Sequence, residues 1–157
     1  MSGCPFSGGC QCGAMRFRVG RLGRASICHC RMCQKAFGSF FGPLVTAHDL
    51  VWTRGELRYF ASSNKVRRSF CADCGTPLVY DYGEPLEVAI GAFDDPEVAA
   101  PVIQVNPADK LSFFDALCGL PLRAPEETSE AEAFKASIVS YQHPDRDTDT
   151  WPPERRP

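Results

Sequence analysis

Between residues 14 and 105 the apolar positions come in short runs or alternate with polar ones, and Gly, Pro, Asn and Asp punctuate them. Met15, Phe17 and Val19 alternate with Arg16 and Arg18, so an extended chain there turns one face to a core and the other to water. Further β-type runs lie at 25–28, 40–46, 50–53, 57–60, 66–71, 76–82, 86–90 and 102–105. Their spacing of about eight to twelve residues predicts a mainly β domain of small antiparallel sheets. Residues 34–37 have room for one helical turn before Gly38 stops it. Phe37, Phe40, Phe41, Trp52, Phe60 and Phe70 are the large side chains expected between the sheets.

The pattern changes near the C-terminal end. Ser129 followed by Glu132 fits a capping box, and Phe134, Ile138 and Tyr141 then recur at helical spacing. This predicts a helix over 129–142, in a 126–142 segment laid by one apolar face on a β domain of residues 1–125. The remainder, HPDRDTDTWPPERRP over 143–157, is polar, proline-rich and poor in aliphatic residues, so a disordered tail is expected, with Trp151 at most loosely docked.

Composition narrows the class. A chain of 157 residues, 44% hydrophobic, has the length of one domain with a core of its own. No run approaches about 18 apolar residues, so no membrane span is expected. Seventeen basic against 19 acidic groups give a net charge of −2 with no basic stripe, which argues against nucleic acid and membrane surfaces as partners. The opening MSGCPFSGGCQCG has neither a basic nor an apolar signal region, so a reducing, cytoplasmic setting is expected.

In that setting nine cysteines, about 6% of the chain, point to metal ligands rather than disulfides. Seven fall into three clusters. Cys10-x-Cys12 and Cys71-x-x-Cys74 together supply four thiolates, the donor set of a closed structural zinc site, and the glycines after Cys12 and Cys74 let the chain turn beneath it. Cys28-x-Cys30-x-x-Cys33 supplies three, the stoichiometry of a catalytic zinc with one open position. Spacing alone does not pair distant cysteines: the middle cluster also suits a closed site completed by Cys71 or His29. Cys4 and Cys118 stand apart. Zinc with three thiolates keeps a net negative charge, which makes it a weak Lewis acid for hydrolysis and favours thiol chemistry.

The segments GGCQCGAMRF, CHCRMCQKAFGS and RRSFCADCGTPLVY resemble, in order and spacing, the glutathione-dependent formaldehyde-activating enzyme family, which is grouped with centromere protein V. The resemblance runs from Gly8 to about Leu122. It implies a β-tent of small antiparallel sheets, shared with a zinc-containing accessory factor of Rab GTPases. It also implies two zincs per chain: a structural one at Cys10, Cys12, Cys71 and Cys74, and a catalytic one at Cys28, Cys30 and Cys33. The implied activity is that of a carbon–sulfur lyase joining glutathione and formaldehyde as S-(hydroxymethyl)glutathione. A non-catalytic, zinc-stabilised binding module of the same fold is the alternative. The chain departs from the family pattern at Gln104, where a histidine is expected, at Phe113 and Phe114, where a tryptophan is expected, and at Leu117 and Cys118 before Gly119-Leu120-Pro121.

A thiol adding to an aldehyde develops an alkoxide that needs a donor, and Gln34, Lys35 and Ser39 follow the middle cluster closely enough to be candidates. Arg67 and Arg68 are candidates to clamp a substrate carboxylate, although adjacent strand residues face opposite ways.

Overall fold

A computed structural model describes residues 5–152. Its strands are β1 (Phe6–Gly9), β2 (Arg16–Val19), β3 (Arg21–Cys28), β4 (Gly42–His48), β5 (Val51–Arg54), β6 (Arg58–Ala61), β7 (Arg67–Phe70), β8 (Pro77–Asp81), β9 (Leu86–Ala89) and β10 (Ile103–Val105). Helix α1 (Arg31–Phe37) sits between β3 and β4, and α2 (Pro125–Ser137) follows a stretch of short 3-10 turns. The strands form a three-stranded sheet, β1-β2-β5, and a seven-stranded one, β10-β3-β4-β9-β8-β7-β6. Every pairing is antiparallel except β10 with β3. The mainly β architecture expected from the hydrophobic pattern holds, with one parallel edge added.

Side-chain alternation divides the large sheet into two faces. Val79 lies opposite Val88, Val88 opposite Val45 and Val45 opposite Ala25, and this row is buried. The neighbouring row of Arg68, Tyr80, Glu87 and Thr46 faces the other way, on the same side as Ser26 and Leu44. The first face packs on the small sheet through Phe17, fully buried, whose ring meets Trp52 at 5.5 Å and Phe93 at 5.2 Å, both edge to face. Gly8 permits that approach: a Cβ there would lie 2.3 Å from the Ala92 carbonyl oxygen and 2.4 Å from Phe17 Cζ.

Several expectations are corrected. Arg16, expected on the water face of β2, is only 3% exposed. Its guanidinium is enclosed by two carboxylates, Asp94 (2.7 and 2.6 Å) and Asp147 (3.0 and 2.8 Å). Phe40, Phe60 and Phe70 are exposed rather than core, the last two because they lie on the β6–β7 hairpin at the sheet edge. Helix α2 begins at Pro125, not Ser129, because proline in the first turn loses no hydrogen bond there. It buries none of its residues, and Phe134, Ile138 and Tyr141 are all more than half exposed. Glu126, Glu127, Glu130, Glu132 and Lys135 leave the helix no continuous apolar stripe to lay on the core.

Of the tail expected over 143–157, residues 143–152 form a strap across the end of the small sheet, and 153–157 lie outside the described residues. The His143 amide donates to the Gln11 carbonyl (2.8 Å), Asp147 bridges Arg16 and Arg18, and Trp151 Nε1 donates to the Cys12 carbonyl (2.9 Å). Arg54 donates to the Thr148 carbonyl as well. Polar contacts hold the strap together with the Trp151 ring, which packs against the core. No helix among the described residues is long and apolar enough to cross a membrane.

Candidate metal centres and adjoining cleft

Two tight turns bring the first and last cysteine clusters together. Gly13 N–H donates to the Cys10 carbonyl (3.0 Å) and Gly75 N–H to the Cys71 carbonyl (2.9 Å), with both glycines at positive φ, +82° and +76°. The Gln11 amide joins the turns by donating to Thr76 Oγ1 at 3.0 Å. The sulfurs of Cys10, Cys12, Cys71 and Cys74 consequently lie within 4.8 Å of one another, with Cys10–Cys12 at 3.5 Å and Cys12–Cys71 at 3.8 Å. Four thiolates around zinc at about 2.3 Å have tetrahedral edges of about 3.8 Å, so the donor set and its spacing fit that ion. Burial pushes the Cys10 thiol up. At Cys74 burial acts in the same direction, but hydrogen bonds from Thr76 and nearby backbone amides outweigh it and bring the thiol down to about 6.

The second group lies on the other face of the large sheet. Cys28 ends β3, while Cys30 caps α1 by accepting from the Cys33 amide at 3.4 Å. The sulfurs of Cys28, Cys30 and Cys33 again lie within 4.8 Å of one another, and no fourth His, Cys, Asp or Glu atom joins them among the described residues. Three thiolates at this spacing fit zinc with one position left for an incoming ligand. Two donors flank the group: Asn106 Nδ2 reaches Cys28 Sγ at 3.2 Å, and Arg68 Nη2 reaches Cys33 Sγ at 3.4 Å. Burial opposes ionisation of Cys28, yet the amide of Cys30 and the side chain of Asn106 lower its pKa overall. At Cys33 burial prevails over Arg68, and the thiol is pushed up to about 12.

A cleft of about 230 Å³ opens beside Cys28 and Cys33. Its walls are the outward rows of the sheet: Ser26 and Arg24 from β3, Tyr80 from β8, Glu87 from β9, and Asn106 at its lip. Arg68 lies 4.9 Å beneath the Tyr80 ring centroid and is also fixed by Nε donating to Ser62 Oγ at 3.0 Å.

The residues proposed from sequence distribute unevenly over this site. Gln34 does not present a free donor: it is buried, and Nε2 donates to the carbonyls of His29 (2.7 Å) and Asp109 (3.0 Å). Lys35 and Ser39 are exposed and do not line the cleft. Of the two arginines, Arg68 reaches the sulfur group, whereas Arg67 pairs with Asp81 and lies over Tyr59. His29 is fully buried but outside the sulfur group; its Nε2 donates to Gln104 Oε1 at 2.8 Å, and Nδ1 has no hydrogen-bond partner among the described residues. Phe114 packs edge to face on His29 and Phe41, and Phe113 on Phe40. Two of the departures, Gln104 and Phe114, thus border His29, whereas Phe113 packs on Phe40. Cys118 is exposed and joins neither group, and Cys4 lies outside the described residues. Asn106, Ser26, Arg24 and Glu87 are the functional candidates that sequence reading missed.

Comparison with known proteins gives three findings. A family model described as glutathione-dependent formaldehyde-activating enzyme matches residues 5–108. No curated protein matches the chain. A crystal structure of a Rhodobacter sphaeroides protein is similar at 22% identity and a TM-score of 0.49, over 63% of this chain and 99% of that one.

Proposed function

The chain belongs to the glutathione-dependent formaldehyde-activating enzyme family, and from that premise we propose that it joins a small thiol such as glutathione to formaldehyde, a carbon–sulfur lyase activity run in the direction of synthesis. The observation that carries this reading is the sulfur count: Cys28, Cys30 and Cys33 make a group of three beside a cleft, one short of a tetrahedral set, whereas Cys10, Cys12, Cys71 and Cys74 make a full set of four. Zinc at the three sulfurs would supply a position where a thiol ionises at neutral pH.

The protein's own groups do the rest. Asn106 and Arg68 donate to two of the three sulfurs and disperse their negative charge, which keeps the position attractive to a further anionic sulfur. The thiol proton leaves, the sulfur forms a bond to the aldehyde carbon, and the carbonyl oxygen takes up a proton, giving the S-hydroxymethyl adduct. Ser26 Oγ, one strand repeat from Cys28 on the same face, donates to that oxygen as charge develops. The four-sulfur site holds the fold, and a reducing compartment such as the cytoplasm keeps all seven thiols available.

The test is NMR exchange spectroscopy between formaldehyde hydrate and the glutathione adduct, with zinc-loaded wild type against Cys30→Ser. The wild type should accelerate exchange over the protein-free rate, and Cys30→Ser should not. Absence of acceleration with glutathione and with every other small thiol would refute the activity.

A further inference from the structure

Arg24, Ser26 and Cys28 occupy alternate positions of β3 and line the same cleft, so a ladder of three different chemistries climbs away from the sulfur group. Four residues of strand span at most about 13 Å, and the guanidinium reaches part of the way back. Glu87 enters the cleft from β9, beside Tyr80. Its carboxyl is half buried, and burial raises its pKa against the pull of Arg24. Among the described residues neither the Arg24 nor the Glu87 side chain makes a hydrogen bond or an ion pair within 4 Å. A half-buried carboxylate and an arginine, both unpaired and facing one space, match a ligand that carries both charges next to each other.

Resting on the thiol-binding reading above, we propose that Arg24 and Glu87 set the specificity of the cleft, by binding the carboxylate and the ammonium of an α-amino-acid group at the far end of the thiol. The guanidinium takes the carboxylate through paired N–H donors, and Glu87 takes the ammonium. The spacing from the sulfurs selects the length of the thiol. A spacer of about two residues covers about 7 Å, which fits between the sulfur group and the charge pair, whereas free cysteine carries its charges too close to its sulfur. The structure offers one such charge pair along this strand, so the cleft reads the γ-glutamyl end and leaves a terminal glycine unread.

Calorimetric titration of zinc-loaded protein with γ-glutamylcysteine, glutathione, cysteine, cysteinylglycine and 2-mercaptoethanol tests this, alongside adduct formation by NMR. γ-Glutamylcysteine and glutathione should bind alike, and both more tightly than the other three. In Arg24→Met and in Glu87→Gln, metal content is checked first. The ratio of γ-glutamylcysteine to 2-mercaptoethanol affinity should then fall about 10- to 100-fold. A purely structural effect would weaken both thiols together and leave the ratio unchanged, which would overturn the proposal, as would a wild type that binds cysteine as well as γ-glutamylcysteine. The two readings fail separately. Selective binding without accelerated adduct formation would remove the activity and keep the specificity pair. Acceleration with no preference among thiols would do the reverse.

Discussion

Replacing Asp94 by alanine tests how the strap and the small sheet are joined. Arg16 is 3% exposed and Asp94 13%, so their paired hydrogen bonds at 2.7 and 2.6 Å operate away from water. Breaking a buried pair by removing one partner costs about 3–5 kcal/mol, because the remaining charge is left without compensation. Here Asp147 stays, holding Arg16 Nε at 3.0 Å and Nη2 at 2.8 Å, so compensation is incomplete rather than lost. We expect Asp94→Ala to cost about 2–3 kcal/mol. Asp147 is 34% exposed and water can take its place, so Asp147→Ala should cost about 1 kcal/mol or less. The double variant abandons the guanidinium altogether, and its loss should exceed the sum of the two by about 1 kcal/mol. Equilibrium urea unfolding of zinc-loaded protein reads all three, and in thermal unfolding Asp94→Ala should lower the melting temperature by about 5–10 °C. A loss below about 0.5 kcal/mol for Asp94→Ala, or strict additivity in the cycle, would refute the shared-guanidinium argument.

Other consequences can be measured directly. Burial, with the charges of Arg16 and Arg54, lowers the pKa of His143; for Asp147 burial acts upward, but bonding to Arg16 and Arg18 lowers it overall. The docked strap therefore binds fewer protons than the free one. Docking should be strongest above about pH 6.5, weaken below it as His143 protonates, and weaken again below about pH 4 through Asp147. Hydrogen exchange of residues 143–151, corrected for intrinsic rates, checks this, and protection that stays flat from pH 8 to 5 would contradict it. Gly13→Ala places a Cβ 2.1 Å from His143 Cδ2 at a φ of +82°, so it should cost about 1–3 kcal/mol and loosen the strap in the same exchange experiment. Cys30→Ser should lower zinc from about two to about one per chain with the fold kept, whereas Cys71→Ser should unfold the chain, as followed by metal analysis and circular dichroism.

The three cysteine clusters were legible in the sequence because ligand spacing is local, each sitting on one turn or one strand end, but their division into four and three came from donor stoichiometry and the family resemblance, since Cys12 and Cys71 meet across 59 positions. The cleft was only half legible. Ser26 and Arg24 follow from counting back by twos from Cys28, but Tyr80 and Glu87 arrive through the pairing of β8 with β9, which no local pattern encodes. Gln34 misled because nearness in sequence to Cys33 is not nearness to the cleft; the helical phase of α1 turns its amide toward the backbone of His29 and Asp109. The strap was misread for a different reason. Low aliphatic content signals disorder only when aliphatic burial must supply the order, and here His143 and Asp147 dock through hydrogen bonds and charge while the one large apolar side chain, Trp151, packs on the core. Helix α2 shows the converse, since helical periodicity at Phe134, Ile138 and Tyr141 fixed neither its start nor any packing.

The strap also imposes an order on biosynthesis. Cys12 meets its partner Cys71 across 59 positions, and Trp151 reaches back to the Cys12 carbonyl across 139. A ribosome releases the first cysteine pair well before the second, and releases the strap long after both. The four-sulfur site can therefore gather its ligands and take up metal while its outer side is still uncovered. The last contact made over it comes from the last described stretch of chain to be synthesised.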